Sequence, residues 1–253
     1  MSLFTLSSTY GSTQADPQPI KHIFFDFHGV LALKESKIAM TKRFLKEIVW
    51  QHPRQVVGVL CNRGFYQALH SLLHLPNNRG KHKITEMYFD AIIELGYPEL
   101  GQALIEYANN IFTQNQQMTE LLKELKNSNI TLHLFSNIGP KTEQDARTKF
   151  PFLKQYFPAP NLIETTQTFK PEAQAFDKAC QKAGCTADQV LVIDDKQENG
   201  YTQKAVDYAQ AKATGEKIVY SPPKHCAAAA IVYNTDNHNQ AVKQLQSLGL
   251  LSR

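Results

Sequence analysis

Apolar and aromatic residues at positions 23–25 and 27 enclose a single carboxylate, Asp26, and the chain then meets Gly29, Val30 and Leu31. No other stretch restricts the fold as much. A run with so little alternation fits a central strand of a parallel sheet, covered on both faces. Such sheets bind ligands in the crevice beyond the carboxyl ends of their strands, which is where Asp26 would stand, and Gly29 would permit a sharp exit. An aspartate so placed can be a nucleophile, a metal ligand, or both.

The rest of the chain supplies partners for that strand. Residues 1–19, rich in Ser, Thr, Gln and Pro, read as a mobile tail. From Lys34 to Gln116 the pattern turns helical: Ile38, Phe44, Leu45, Ile48 and Val49 share a face, as do Phe65, Leu69, Leu72 and Leu73, then Tyr88, Ala91, Ile92 and Leu95, closed by Gly96, and finally Leu100, Leu104, Ala108 and Ile111. Val56 to Leu60 is the one stretch there that also reads as a strand. Beyond Gln116 strands and helices alternate. The helices are Met118–Lys126, Lys141–Lys149, one opened by Pro171 and stopped by Gly184, Asn199–Lys212 and Gln240–Leu248. The strands are Ile130–Phe135, Leu162–Ile163, Val190–Ile193, Ile218–Tyr220 and Ile231–Tyr233. The expected architecture is α/β, a parallel sheet with helices on both faces. Its core domain comprises residues 20–33 and 117–253, and residues 34–116 form a helical insertion.

Composition narrows the function by exclusion. At 253 residues and 42% hydrophobic, the chain can bury one good core and a second small one. A net charge of +4, with lysines spread along the sequence, argues against nucleic acid as the partner. No apolar run approaches a membrane span and no secretory signal is visible, so a cytoplasmic protein is expected, with no membrane partner. Cys61, Cys180, Cys185 and Cys226 lack metal-binding spacing and read as reduced thiols. His70 and His74, four apart, read as ordinary helix packing because no third ligand accompanies them. Arg79-Gly80-Lys81-His82-Lys83 reads as a solvated loop, with a cationic lip for anionic substrate as the sharper alternative.

Three expected strand ends carry chemistry: Asp26, then Ser136-Asn137, then Asp194-Asp195, with Lys170 opening a helix between the last two. Transfer of a phosphoryl group needs a nucleophile, charge to neutralise its oxygens, and a cation joining nucleophile to phosphate. Mg²⁺ suits two aspartates and a backbone carbonyl. Lys170 offers a point charge and Ser136 a hydroxyl.

The set, in this order, resembles the four motifs of the haloacid dehalogenase superfamily, most of whose members are Mg²⁺-dependent phosphatases. The resemblance covers about residues 20–33 and 116–250, and it implies a Rossmann-like core with a helical cap domain at residues 34–116. It implies that Asp26 becomes an aspartyl phosphate, that Ser136, with Asn137 beside it, contacts the phosphate, and that Lys170 is the third motif. In Asp194-Asp195-Lys196-Gln197-Glu198-Asn199, it makes Asp195 the Mg²⁺ ligand, with Asp194 and Asn199 in support and the backbone carbonyl of His28 as the remaining protein ligand. One position departs. Phosphatases of the family carry an acid two residues after the nucleophile to protonate the leaving oxygen, and here His28 stands there. Histidine is a competent acid and base. The leading expectation is therefore hydrolysis of a small phosphorylated metabolite. A binding or regulatory protein with negligible turnover is the alternative, and dehalogenase chemistry is disfavoured because Asp194-Asp195 and Lys170 suit Mg²⁺ and phosphate.

Overall fold

The computed structural model describes residues 19–65, 67, 89–163, 169, 170, 172–203 and 226–252. The chain enters the sheet through β1 (His22–Phe25) and turns into β2 (Ala32–Lys34). Helix α1 (Lys37–Phe44) runs on as a π-helical turn over Leu45–Val49, then come α2 (Pro53–Leu60) and α3 (Pro98–Asn110). Strand β3 (Phe112–Gln114) returns antiparallel to β2. Then follow α4 (Gln116–Lys126), β4 (Thr131–Leu134), α5 (Pro140–Lys149), α6 (Pro151–Tyr156), α7 (Ala173–Ala183), β5 (Val190–Asp194), β6 (Ala229–Val232) and α8 (His238–Ser247).

The main sheet has the order β4-β1-β5-β6, with every pairing parallel. Its register aligns Phe25 with Leu134 on one side and Ile193 on the other, so the carboxyl ends of β4, β1 and β5 lie side by side. Alternate residues of these fully buried runs serve opposite faces. Ile23, Phe25, Leu191 and Ile193 pack with Leu121, Leu122 and Leu125 of α4, Leu153 of α6 and Leu245 of α8. Phe24, Val190 and Val192 pack with Phe176 and Ala179 of α7 and with Tyr201. Helix α7 is closed by Gly184 in the left-handed conformation (φ 66°), the stop its sequence suggested.

Between β2 and β3 the helices assemble a separate small cluster around Ile48, Val59, Ile92 and Leu100. The β2–β3 ribbon, which the sequence reading did not foresee, is its stem, with Lys34 directly opposite Phe112. Asn115, almost fully buried, locks that stem to the core. Its side-chain oxygen accepts from Met118 N and caps α4, while its amide donates to Val30 O at 2.7 Å and to the Tyr233 hydroxyl at 3.0 Å.

Four expectations need correction. Residues 56–60 are helical within α2, because Pro53 at the first helical turn starts a helix that overrides the local valines. Leu162–Ile163 form no strand; a bond from Leu162 N to Leu134 O, 2.9 Å, ties them to the sheet edge. Helix α7 begins at Ala173, so Lys170 lies in the preceding turn rather than opening the helix. The helix expected from Asn199 does not begin there, since residues 197–200 form a 3₁₀ turn ended by Tyr201 at φ 53°. Residues 1–18, His70, His74, Arg79 to Lys83, the greater part of the Asn199–Lys212 helix and the strand at 218–220 lie outside the described residues. Among the described residues no helix is long and apolar enough to cross a membrane.

Candidate functional site

Because the carboxyl ends of β1, β4 and β5 lie side by side, the residues that follow them meet above the sheet. Asp26 N donates to Ile193 O and Phe135 N to Phe25 O, each continuing a ladder past the strand end. Both Asp26 and Ser136 are thereby held in buried positions. Gly29, at φ 83°, lets the chain leave β1 beneath Asp195. A Cβ there would stand 2.8 Å from an Asp195 carboxylate oxygen, so only glycine permits this approach of the two loops.

The centre is organised by Lys170. Its ammonium donates to Asp26 Oδ1 at 2.7 Å and makes a second short bond to Asp194 Oδ2, with only 2% of its side chain exposed. Burial by itself would lower the ammonium's pKa, but the charges of Asp194 and Asp26 together outweigh it and raise the value above normal. Lys170 is therefore a cation across the working pH range. It is held by Asn137, whose amide donates to Lys170 O at 3.0 Å and whose side-chain oxygen accepts from Lys170 N at 2.8 Å. The Asn137 side chain, expected beside the phosphate as a substrate-binding group, is engaged with the lysine backbone. Asp194 also accepts from Lys196 N and from the Asn199 amide, both at 2.9 Å.

Asp26, Asp194 and Asp195 bring ligand oxygens within 4.8 Å of one another. Asp195 is the solvent-facing member of this set. Partial burial, and then the negative charges of Asp26 and Asp194, push its carboxyl up to about 6. Three carboxylates against one buried ammonium leave an excess of negative charge at the open side. An all-oxygen set of this kind fits a hard divalent cation such as Mg²⁺.

Two residues here were missed from sequence. Asn161 clamps Ser136: its side-chain oxygen accepts from Ser136 N at 3.0 Å and its amide donates to Ser136 O at 2.6 Å. Only its place after Pro158-Ala159-Pro160 marked it, and that pattern reads as an ordinary loop. Phe112 is the other. The His28 ring lies against it at 4.3 Å between centroids, with Phe27 at 4.9 Å. Phe27, His28 and Phe112 form part of the wall of a cavity of about 620 Å³ bounded by α3 and α5. The carboxylates themselves do not line this cavity; it adjoins them through Phe27 and His28, the residues that follow Asp26.

The family model for haloacid dehalogenase-like hydrolases matches residues 20–201. Among solved structures, a HAD family enzyme from Bacteroides thetaiotaomicron is similar with a TM-score of 0.51 and 19% identity, over 82% of this chain and 95% of its own. The L-2-haloacid dehalogenase RSc1362 is similar with a TM-score of 0.51 and 16% identity, over 90% of this chain and 100% of its own. At these identities the likeness is one of fold. No curated protein matches the chain.

Proposed function

Because this chain belongs to the haloacid dehalogenase-like hydrolases, we propose that it is a Mg²⁺-dependent phosphatase of a small phosphomonoester, acting through an aspartyl phosphate at Asp26. The observation that carries this reading is Lys170, buried between Asp26 and Asp194 with Asp195 alongside. A fixed cation beside a carboxylate suits a substrate with several anionic oxygens, and the surplus carboxylates suit a divalent metal. Replacement of halide needs no divalent metal.

Asp26, Asp195 and the backbone carbonyl of His28 would hold Mg²⁺. When bound, the ion supplies positive charge that draws nucleophile and phosphate together. Lys170 holds Asp26 Oδ1, leaving Oδ2 to attack phosphorus in line. As the P–O bond to the leaving group breaks, the alkoxide takes a proton from His28 in its imidazolium form. The neutral imidazole then accepts a proton from the water that attacks the aspartyl phosphate, releasing inorganic phosphate and restoring both residues. Ser136, its backbone gripped by Asn161, offers a hydroxyl to the phosphate oxygens throughout. The segment between β2 and β3 is proposed as a cap over this centre, since it has its own apolar cluster and its own stem.

One observation favours a second reading, a protein that binds phosphate ligands without turnover. The His28 ring rests on Phe112 and Phe27, a packed position for a group that must exchange protons. Phosphate release from acetyl phosphate with Mg²⁺ separates the two. The parent should release phosphate, Asp26→Asn should release none because an amide forms no acyl phosphate, and Asp195→Asn should lose Mg²⁺ binding by calorimetry. Release by Asp26→Asn at the parent rate would overturn the proposal, and a parent that binds Mg²⁺ and phosphate without turnover would establish the second reading.

A further inference from the structure

We infer that the alcohol carried by the substrate is bulky and apolar, an aryl or arylalkyl group, and that it occupies the cavity beside His28; this rests on the phosphatase reading above. The placement follows from the chain itself. Phe27 and His28 succeed Asp26 directly, and both face the cavity. A phosphorus held at Asp26 with its leaving oxygen toward His28 therefore projects its organic substituent there. At about 620 Å³ the space falls in the range of small-molecule pockets and exceeds the needs of a three-carbon fragment.

The wall decides the chemistry. Phe27, Phe112 and Phe150 line it together with Leu104, Ile105 and Ala108 of α3. Lys34, Asp90, Lys141 and Thr142 also line the cavity, so its lining is mixed, but three of its polar residues, Asn109, Asp145 and Lys149, are engaged with protein partners. The Asn109 amide donates to Asp145 at 2.7 Å, and the Lys149 ammonium donates to Asn109 O and Phe112 O, both at 2.8 Å. A sugar placed here would exchange water for phenyl rings at several hydroxyls, and each unpaired hydroxyl weakens binding roughly tenfold or more. A phenyl group loses no hydrogen bond and gains from burial, by roughly 10- to 100-fold in affinity.

The test uses primary alkyl esters with similar leaving oxygens, so that the need for a proton does not bias the comparison. The parent should hydrolyse 2-phenylethyl phosphate roughly 10- to 100-fold better in kcat/KM than ethyl phosphate or glucose 6-phosphate, with the difference mainly in KM. Ala108→Trp, which fills the cavity from α3, should reduce that ratio toward one. A binding measurement needs neither turnover nor a variant: by calorimetry with Mg²⁺ present, 3-phenylpropylphosphonate should bind more tightly than propylphosphonate by a similar factor. If acetyl phosphate is cleaved but 2-phenylethyl phosphate and ethyl phosphate react alike and the two phosphonates bind alike, the inference is overturned and the phosphatase reading stands. If acetyl phosphate is not cleaved, the phosphatase reading falls and the phosphonate pair still decides what the cavity accepts.

Discussion

At the residue scale, His28 replaces the acid that phosphatases of this family carry. Its ring lies against Phe27 and Phe112, so in the proposed mechanism the proton would come from an apolar wall rather than from a hydrated carboxyl. The step at risk is protonation of a poor leaving group. General acid catalysis contributes roughly 10²–10⁴-fold, so acetyl phosphate should react far faster than ethyl phosphate, whose alkoxide needs the proton. His28→Asp should narrow that gap by accelerating ethyl phosphate selectively, measured as the ratio of the two rates at fixed Mg²⁺. A ratio unmoved by the substitution, with Mg²⁺ still bound, would show that the acid was never the obstacle. Lys170 shows the opposite dependence on context. Burial alone would lower its pKa, and it is the two aspartates that raise it above the usual value.

At the scale of elements, two junctions set how firmly the sheet is held. Asn115 joins the β2–β3 stem, the start of α4 and Tyr233 beyond β6 through one side chain. Asn115→Ala removes a helix cap and leaves a buried carbonyl and hydroxyl short of a partner, which should destabilise the fold by about 2–4 kcal/mol. Asn115→Asp keeps the cap but cannot donate to Val30 O, so urea melts should rank it between the parent and the alanine variant. The second junction pairs β1 with β4 through His22 and His133, whose ring nitrogens lie 3.0 Å apart. Burial, and then the charge of His22, lower the His133 imidazole to about 4, against an ordinary 6.5. Its folded pKa is depressed, so its contribution is fully present above 6.5 and is lost as pH falls through about 4. The full amount is about 3 kcal/mol. His133→Gln retains a polar contact without the titration, so its stability should fall less steeply than the parent's between pH 7 and pH 4.5; parallel curves would remove His133 as the source.

For the whole molecule, the proposed division into core and cap predicts a shorter protein that folds. Lys34 and Phe112 stand directly opposite one another, and Glu35 N donates to Ile111 O just beyond them. Replacing residues 35–111 by Asn-Gly would close the ribbon as a two-residue hairpin. The product should be soluble with a cooperative melt, and without α3 it should lose any preference for aryl over small esters; an unfolded product would mean that the two parts form one continuous core. The central strands and the sequence order of Asp26, Ser136, Lys170 and Asp195 were legible without coordinates, because unbroken apolar runs mark buried parallel strands and each polar group directly follows such a run or precedes a helix. The helix at Pro53–Leu60 was less legible, since a short valine-rich run satisfies either period. What only the tertiary structure decided are contacts between distant parts of the chain: Lys170 on Asp26 across 144 residues, Asn115 on Val30 across 85, Asn161 on Ser136 across 25, and Phe112 against the His28 ring. A local pattern records which face of an element will be buried, but it does not record which distant side chain completes a hydrogen bond or closes a cavity wall, because that depends on how separately formed elements come to rest against one another.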